Sequence, residues 1–230
     1  MNSNFLINMK TELDDYRIKL TMSASLPIDG WAEDYFTEIK GEVFYVVGDG
    51  NLRLCGKLNC YFINLEQVRT DGFSYFTILD DHSSELAECA KLFKPRQGYE
   101  SNFRKATLEA LGMSADDILS LYNNFVYVRR LEILPSHRGK GLGKFVLNET
   151  LTYLAQTMNF VFYAMKPFPL QSEKTEAKKG SWRARLKLEA LEPSHQKAMK
   201  KLRKLYGELG FVAVRGTSLM VCQTSYYANE

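Results

Sequence analysis

Phe125-Val126-Tyr127-Val128-Arg129-Arg130-Leu131-Glu132-Ile133, followed by Leu134-Pro135-Ser136-His137-Arg138-Gly139-Lys140-Gly141-Leu142-Gly143, is the stretch on which the fold turns. Its first nine residues are β-branched, aromatic or aliphatic for the most part, which reads as a strand, and Pro135 stops it. Glycines then occupy three alternate positions. Beyond them Leu147, Leu151, Leu154 and Met158 recur at steps of four, three and four, the spacing of a helix with one buried stripe. Phe160 to Met165 is a short apolar run closed by Lys166-Pro167, a strand buried on both faces beside the first. The unit is therefore strand, glycine turn, helix, strand.

A turn of this kind has a chemistry of its own. The first amides of a helix lack intrahelical partners and carry a partial positive charge, and glycines let an anion approach the backbone with no Cβ in the way. Gly139, Gly141 and Gly143 supply that access. A dinucleotide fingerprint requires Gly where Lys144 stands, and a Walker loop requires Gly-Lys-Ser/Thr after four intervening residues, which is absent.

Upstream, Tyr16, Ile18, Leu20 and Met22 alternate with Arg17, Lys19 and Thr21, the period of a half-buried strand. Asp29 is placed to cap a short helix in which Trp31, Tyr35 and Ile39 recur at steps of four. Glu42 to Val47, the turn Gly48-Asp49-Gly50-Asn51 and Leu52 to Leu65 read as a hairpin. In its second arm Leu52, Leu54, Leu58, Cys60 and Phe62 share one parity and Arg53, Lys57 and Asn59 the other, giving an apolar face and a wet one. Between Asp80 and Asn124 the period turns helical. Leu86, Ala90 and Phe93 share a face, Lys94-Pro95 ends that helix, and Ser114-Ala115-Asp116-Asp117 has capping-box spacing before Ile118 to Tyr122. Downstream, Trp182, Leu186 and Ala190 align as one face of an amphipathic helix within 171–192. Ser194 caps a last helix with the stripe Ala198, Leu202, Leu205 and Leu209, and Phe211 to Arg215 with Leu219 to Thr224 form a closing hairpin.

Composition removes several classes. A chain of 230 residues with 45% hydrophobic content has ample material for a core. Its longest apolar runs fall far short of the ~20 residues that cross a bilayer, and no basic region followed by an apolar one opens the sequence, so a cytoplasmic protein without a membrane segment is expected. Cysteines at 55, 60, 89 and 222 are too few and scattered to staple the chain, and no histidine set completes a metal site around them. They read as buried thiols, and no metal is expected. The net charge of +3 is unevenly placed, because residues 171–204 hold eleven Lys or Arg against four Glu. Such a run is an ordinary solvated surface or a site for RNA or an acidic protein.

The order Leu131-Glu132-Ile133, then Arg138-Gly139-Lys140-Gly141-Leu142-Gly143, resembles the cofactor motif of the GNAT superfamily of acyl-CoA-dependent N-acyltransferases, Arg/Gln-Gly-x-Gly-x-Gly/Ala. Lys204-Leu205-Tyr206-Gly207-Glu208-Leu209-Gly210-Phe211 resembles the family's closing segment, a Tyr followed by Gly-Phe. The two together cover about 125 to 215. The family often has Asn seven residues before that Tyr, where this chain has Met199, and the stretch 168–195 is longer than the usual link. The resemblance implies an α/β (α+β) fold with a central mixed, mostly antiparallel twisted sheet of about six to seven strands flanked by helices. It implies one domain over 1–230, with 1–124 on the acceptor side and 125–224 as the acyl-CoA core, interrupted by a basic helical insertion at about 168–195.

By the same resemblance, the amides of Gly139 to Gly143 hold the pyrophosphate of acetyl-CoA, Arg138 opens the turn and contacts phosphate, Lys140 adds charge, and Leu131, Glu132 and Ile133 line the pantetheine arm and thioester. Acyl transfer to an amine needs a neutral nitrogen, and a lysine-type amine with a pKa of ~10.4 is mostly charged at neutral pH. Glu132 is the candidate base; a strand-end Glu paired with Arg130 is the alternative. Tyr206 is the candidate acid for the departing thiolate, and an amphipathic Tyr at the edge of a helix stripe is its alternative. His137 reads as a turn residue. The expected reaction is acetyl transfer to a primary amine in a ternary complex. An aminoacyl-tRNA or RNA-associated acyltransferase that uses residues 171–204, and an acyl-CoA sensor without turnover, stand beside it. A homodimer is left open.

Overall fold

The computed structural model describes residues 2–7, 15–24, 32–48, 50–94, 103–114, 124–173 and 177–228. One eight-stranded sheet runs through it: β1 (Asn2–Ile7), β2 (Tyr16–Ala24), β3 (Phe36–Val46), β4 (Leu52–Ile63), β5 (Phe125–Ile133), β6 (Phe162–Met165), β7 (Val212–Ala213) and β8 (Met220–Gln223), in the order β1-β2-β3-β4-β5-β6-β8-β7. Every neighbouring pair is antiparallel except β5 and β6, which are joined through a helix and run parallel, as a βαβ crossover requires. The mixed, mostly antiparallel architecture matches the sequence expectation. The count exceeds it by one because β1 has no alternation that distinguishes it from a loop.

Helices α1 (Leu65–Thr70), α2 (Tyr75–His82), α3 (Ser84–Ala87) and α4 (Lys105–Leu111) follow β4. Helix α5 (Leu142–Thr157) makes the crossover, and α6 (Trp182–Arg185), α7 (His195–Gly207) and α8 (Ser225–Ala228) complete the chain. The strand β5 shows why the sheet is central. Phe125 and Tyr127 enter a cluster with Leu65, Leu79, Leu92, Phe93 and Phe103, whereas Val126 and Val128 meet Leu147, Leu151 and Leu154 of α5. Both faces are covered, so a continuous apolar run is stable there, and each fully buried Leu, Val or Phe contributes about 1.5–3 kcal/mol. The four cysteines are free and buried.

Three expectations change. Tyr35 ends a short 3-10 turn, Ala32–Tyr35, and Ile39 lies in β3, because pairing with β2 and β4 outweighs a helical spacing of two aromatics and an Ile. The parity of β4 also breaks. Val43 faces Gly56 and Phe44 faces Leu54, so Cys55 is the extra residue of a β-bulge, and Leu52 emerges 49% exposed while Cys55 is buried. The helix expected within 171–192 reduces to α6, between the 3-10 turns Leu170–Ser172 and Leu188–Ala190. Lys187 interrupts it with φ +46°, and its anchors are the buried Leu186 and Leu188. The caps and helix expected at Asp29, Trp31 and 115–122, together with Asp49 and Pro95, lie outside the described residues. Among the described residues no helix is long and apolar enough to cross a membrane.

Candidate active site

Past Val128 and Met165, β5 continues for five residues while β6 ends, so residues 129–133 pair with β4 on one side only. A bulge at Arg129, between the pairs Cys60–Val128 and Asn59–Arg130, bends the strand at the same point. The two parallel strands thus open into a wedge. A cavity of about 670 Å³ fills it, lined by Val128, Leu131 and Ile133 of β5, Leu147 of α5, Met165, and Leu202, Leu205 and Tyr206 of α7. Of the expected stripe, Ala198, Leu202 and Leu205 line this cavity, while Leu209, just past the end of α7, is buried in the core.

The glycine turn adjoins the wedge: Arg138 lines the cavity, and a Cβ at Gly143 would lie 3.6 Å from Cδ2 of the lining residue Leu131. Gly139 and Gly141 have φ +75° and +76°, a region that L side chains rarely adopt, and a Cβ at either would meet nothing within 4 Å. Gly141 caps α5, and the first return bond runs from the Phe145 N–H to the Gly141 carbonyl at 3.0 Å. The amides of residues 139 to 144 find no backbone acceptor among the described residues. Six consecutive backbone donors without a backbone acceptor thus lead into the positive end of a 16-residue helix. Leu142 contributes its amide there, while its side chain is buried with Ile18, Leu20, Val43 and Val146 as the anchor that fixes the turn. Lys140 is exposed.

Arg138 does more than open the turn. Its Nε donates to the Ile133 carbonyl at 2.7 Å and its Nη2 to the Leu186 carbonyl at 2.6 Å, tying the end of β5 to the segment after α6. Burial draws its pKa below the ordinary value against the opposing field of Glu189. His137 is held by Tyr16, whose hydroxyl lies 3.0 Å from Nδ1, and desolvation lowers its pKa.

Tyr206 is half-buried against Phe211 with its ring centroids 6.4 Å apart, and its hydroxyl makes no hydrogen bond among the described residues. Desolvation pushes its pKa up to about 12. A phenol so placed keeps its proton and offers it to whatever enters the wedge.

Glu132 projects from the opposite face of β5. It is only 8% exposed, and both carboxylate oxygens are engaged: Oε1 accepts from Arg130 Nη1 at 3.1 Å and Oε2 from the indole N–H of Trp182 at 2.6 Å. Arg130 also pairs with Glu173, which in turn pairs with Arg183, so the chain Trp182–Glu132–Arg130–Glu173–Arg183 fastens the 173–186 segment to β5. Glu132 lines a second cavity of about 410 Å³ with Lys40, Glu42, Lys57 and Asn59. Arg130 lines both cavities, and the two candidate catalytic side chains thus stand on the two sides of the same strand. Among the described residues, no group of three or more His, Cys, Asp and Glu side chains is placed to hold a metal ion.

Sequence reading identified the turn, Glu132 and Tyr206; it placed Trp182 on a helix face and Lys57 on the wet face of a strand, and gave neither of them, nor Glu173, a part in the site. The contacts that join them to β5 or to each other, Glu173 with Arg130, Trp182 with Glu132 and Lys57 with Trp182, span 43, 50 and 125 residues of chain, and no local spacing encodes that.

No family model and no curated protein matches the sequence. Among solved structures the chain is similar to a mutant of KacT, at 12% identity and a TM-score of 0.42, over 84% of this chain and 74% of that one. It is also similar to a KacTA–DNA complex, at 12% identity and a TM-score of 0.40, over 84% and 71%.

Proposed function

We propose that this chain is an acyl-CoA-dependent N-acyltransferase of the GNAT type, with acetyl-CoA as donor and a primary amine as acceptor. The observation that carries the reading is the run of six unpaired amides, 139 to 144, that directly follows Arg138 in the lining of the wedge between β5 and β6. A diphosphate suits those donors, and the apolar wall of Leu131, Ile133, Leu147, Leu202 and Leu205 suits the arm that extends from it. Bound there, the coenzyme would supply an activated acyl thioester.

The chain's own groups divide the remaining work. The unpaired edge of β5 past Val128 offers backbone donors and acceptors to an extended ligand, as a strand edge does to any extended chain. Glu132 takes a proton from the acceptor nitrogen, with Trp182 and Arg130 holding the carboxylate in one orientation. Tyr206 donates to the departing sulfur. With its pKa near 12, it acts by hydrogen bonding to the developing negative charge, since full transfer from so weak an acid is uphill.

Calorimetry with coenzyme A and with acetyl-CoA tests the donor site, and mass spectrometry after incubation with mixed amines tests turnover. Binding with acylated product is expected. Binding without any product supports the sensor instead, and the absence of heat with both coenzymes rejects the assignment.

The outer side of α7 favours a second reading. Lys197, Lys200, Lys201, Arg203 and Lys204 are exposed there, with Lys201 paired to Glu192 at 3.1 Å. An acceptor carried on RNA or on an acidic protein would find a basic surface beside the wedge. Its affinity would fall steeply with salt.

A further inference from the structure

The second cavity lies on the wet side of the sheet, on the face of β5 turned away from α5. Its lining holds three cations, Lys40, Lys57 and Arg130, and two acids, Glu42 and Glu132. Most of these charges are already answered. Lys40 pairs with Glu38 at 2.7 Å, and Arg130 is shared between Glu132 and Glu173. Glu42 and Lys57 are different. They are Cα partners across β3 and β4, the usual setting for a cross-strand ion pair, yet they make none within 4.0 Å. The Lys57 ammonium instead sits 4.9 Å from the centroid of the Trp182 ring, and Glu42 has no cationic partner among the described residues.

One carboxylate and one ammonium, each without a counter-ion, therefore face the same space of about 410 Å³. A polyamine entering it would leave the Lys57 ammonium unanswered, and a simple acid would leave the Glu42 carboxylate so. A molecule that carries both signs answers both. We infer that the second cavity binds the acceptor and selects a small zwitterionic amine of amino-acid type, its amino group turned to Glu42 and Glu132 and its carboxylate to Lys57.

This rests on the transferase reading and names its acceptor. In the transfer, the nitrogen–carbon bond forms as the carbon–sulfur bond breaks. One proton of the ammonium leaves through Glu132 to solvent and a second ends on the sulfur, so that amide, thiol and one released proton balance the reaction. The Trp182 ring holds the Lys57 ammonium by cation–π attraction, which keeps it from collapsing onto Glu42.

The test uses the full chain. Coenzyme A binding is measured first by calorimetry. Initial rates with acetyl-CoA are then compared for a panel of amino acids, the matching amino-acid amides and a diamine. Amino acids are expected to exceed their amides at least tenfold in kcat/KM. Lys57→Gln is expected to remove that preference by raising KM for the amino acid while leaving the amide unchanged, and Glu42→Gln to raise KM for both. A thermal melt confirms that each variant folds. Coenzyme binding with amides or the diamine used as well as amino acids, or with no amino acid acylated, overturns this assignment and leaves the donor site standing. Absence of coenzyme binding overturns the donor reading and this one with it.

Discussion

Gly141→Asp isolates the electrostatics of the glycine turn. The residue has φ +76°, which Asp tolerates better than most L residues, and a Cβ there meets no atom within 4 Å, so the fold should survive with little strain. A carboxylate placed about 5 Å from a phosphate oxygen, at an effective dielectric near 20, costs about 3 kcal/mol per charge pair. That corresponds to a loss of affinity on the order of a hundredfold. Some of the six amides would also turn to the new carboxylate, which deepens the loss. Titration calorimetry with coenzyme A reads the affinity, and a thermal melt shows that the variant is folded. Gly141→Ala serves as the uncharged control, paying the left-handed strain of about 1–2 kcal/mol without the charge. A folded Gly141→Asp variant that binds within threefold of the parent chain would refute the claim that these amides grip a diphosphate.

Three further outcomes follow from particular residues. Tyr206→Phe should lower kcat by about one to two orders of magnitude with coenzyme affinity nearly unchanged and stability within about 0.5 kcal/mol, since the hydroxyl has no partner among the described residues; an unchanged maximal rate would reject its donor role. Gly56→Ala should cost about 1–3 kcal/mol and several degrees of Tm, because its Cβ would lie 2.7 Å from Ile133 Cδ1 and 3.0 Å from the Glu132 carbonyl, and a melt equal to that of the parent chain would contradict that packing. Burial lowers the pKa of both His82 and His137, so each stabilises the fold fully above the unfolded value of about 6.5 and loses that contribution as pH falls below it. Tm should drop between pH 7.5 and 5.5, ahead of the range near and below 4.5 in which Glu88, held low by Lys91, takes up its proton. A flat or rising Tm across the upper window would exclude this.

The βαβ unit was legible because its signals are local. An unbroken apolar strand, glycines at positions that need positive φ, and a stripe at Leu147, Leu151 and Leu154 each report a property of neighbouring residues. The same locality explains the errors. The spacing of Trp31, Tyr35 and Ile39 mimics a helix, but ladder pairing on both edges places Ile39 in a strand. The bulge at Cys55, which swaps the faces of β4, depends on the register of Val43 and Phe44 across the hairpin.

By itself, the sequence determined a strand, glycine turn, helix, strand unit with a helix N-terminus built for an anion, because hydrophobic period and glycine conformational freedom act over a few residues, while the mixed, mostly antiparallel sheet was what the motif resemblance implied. Tertiary structure decided the rest of the site. It set the early end of β6 that opens the wedge, the swing of Arg138 onto two backbone carbonyls, and the reach of Trp182 across 50 residues to Glu132. It also left Glu42 and Lys57 facing each other without a bond. Those contacts depend on where distant backbones meet in three dimensions, and short-range periodicity carries no record of that.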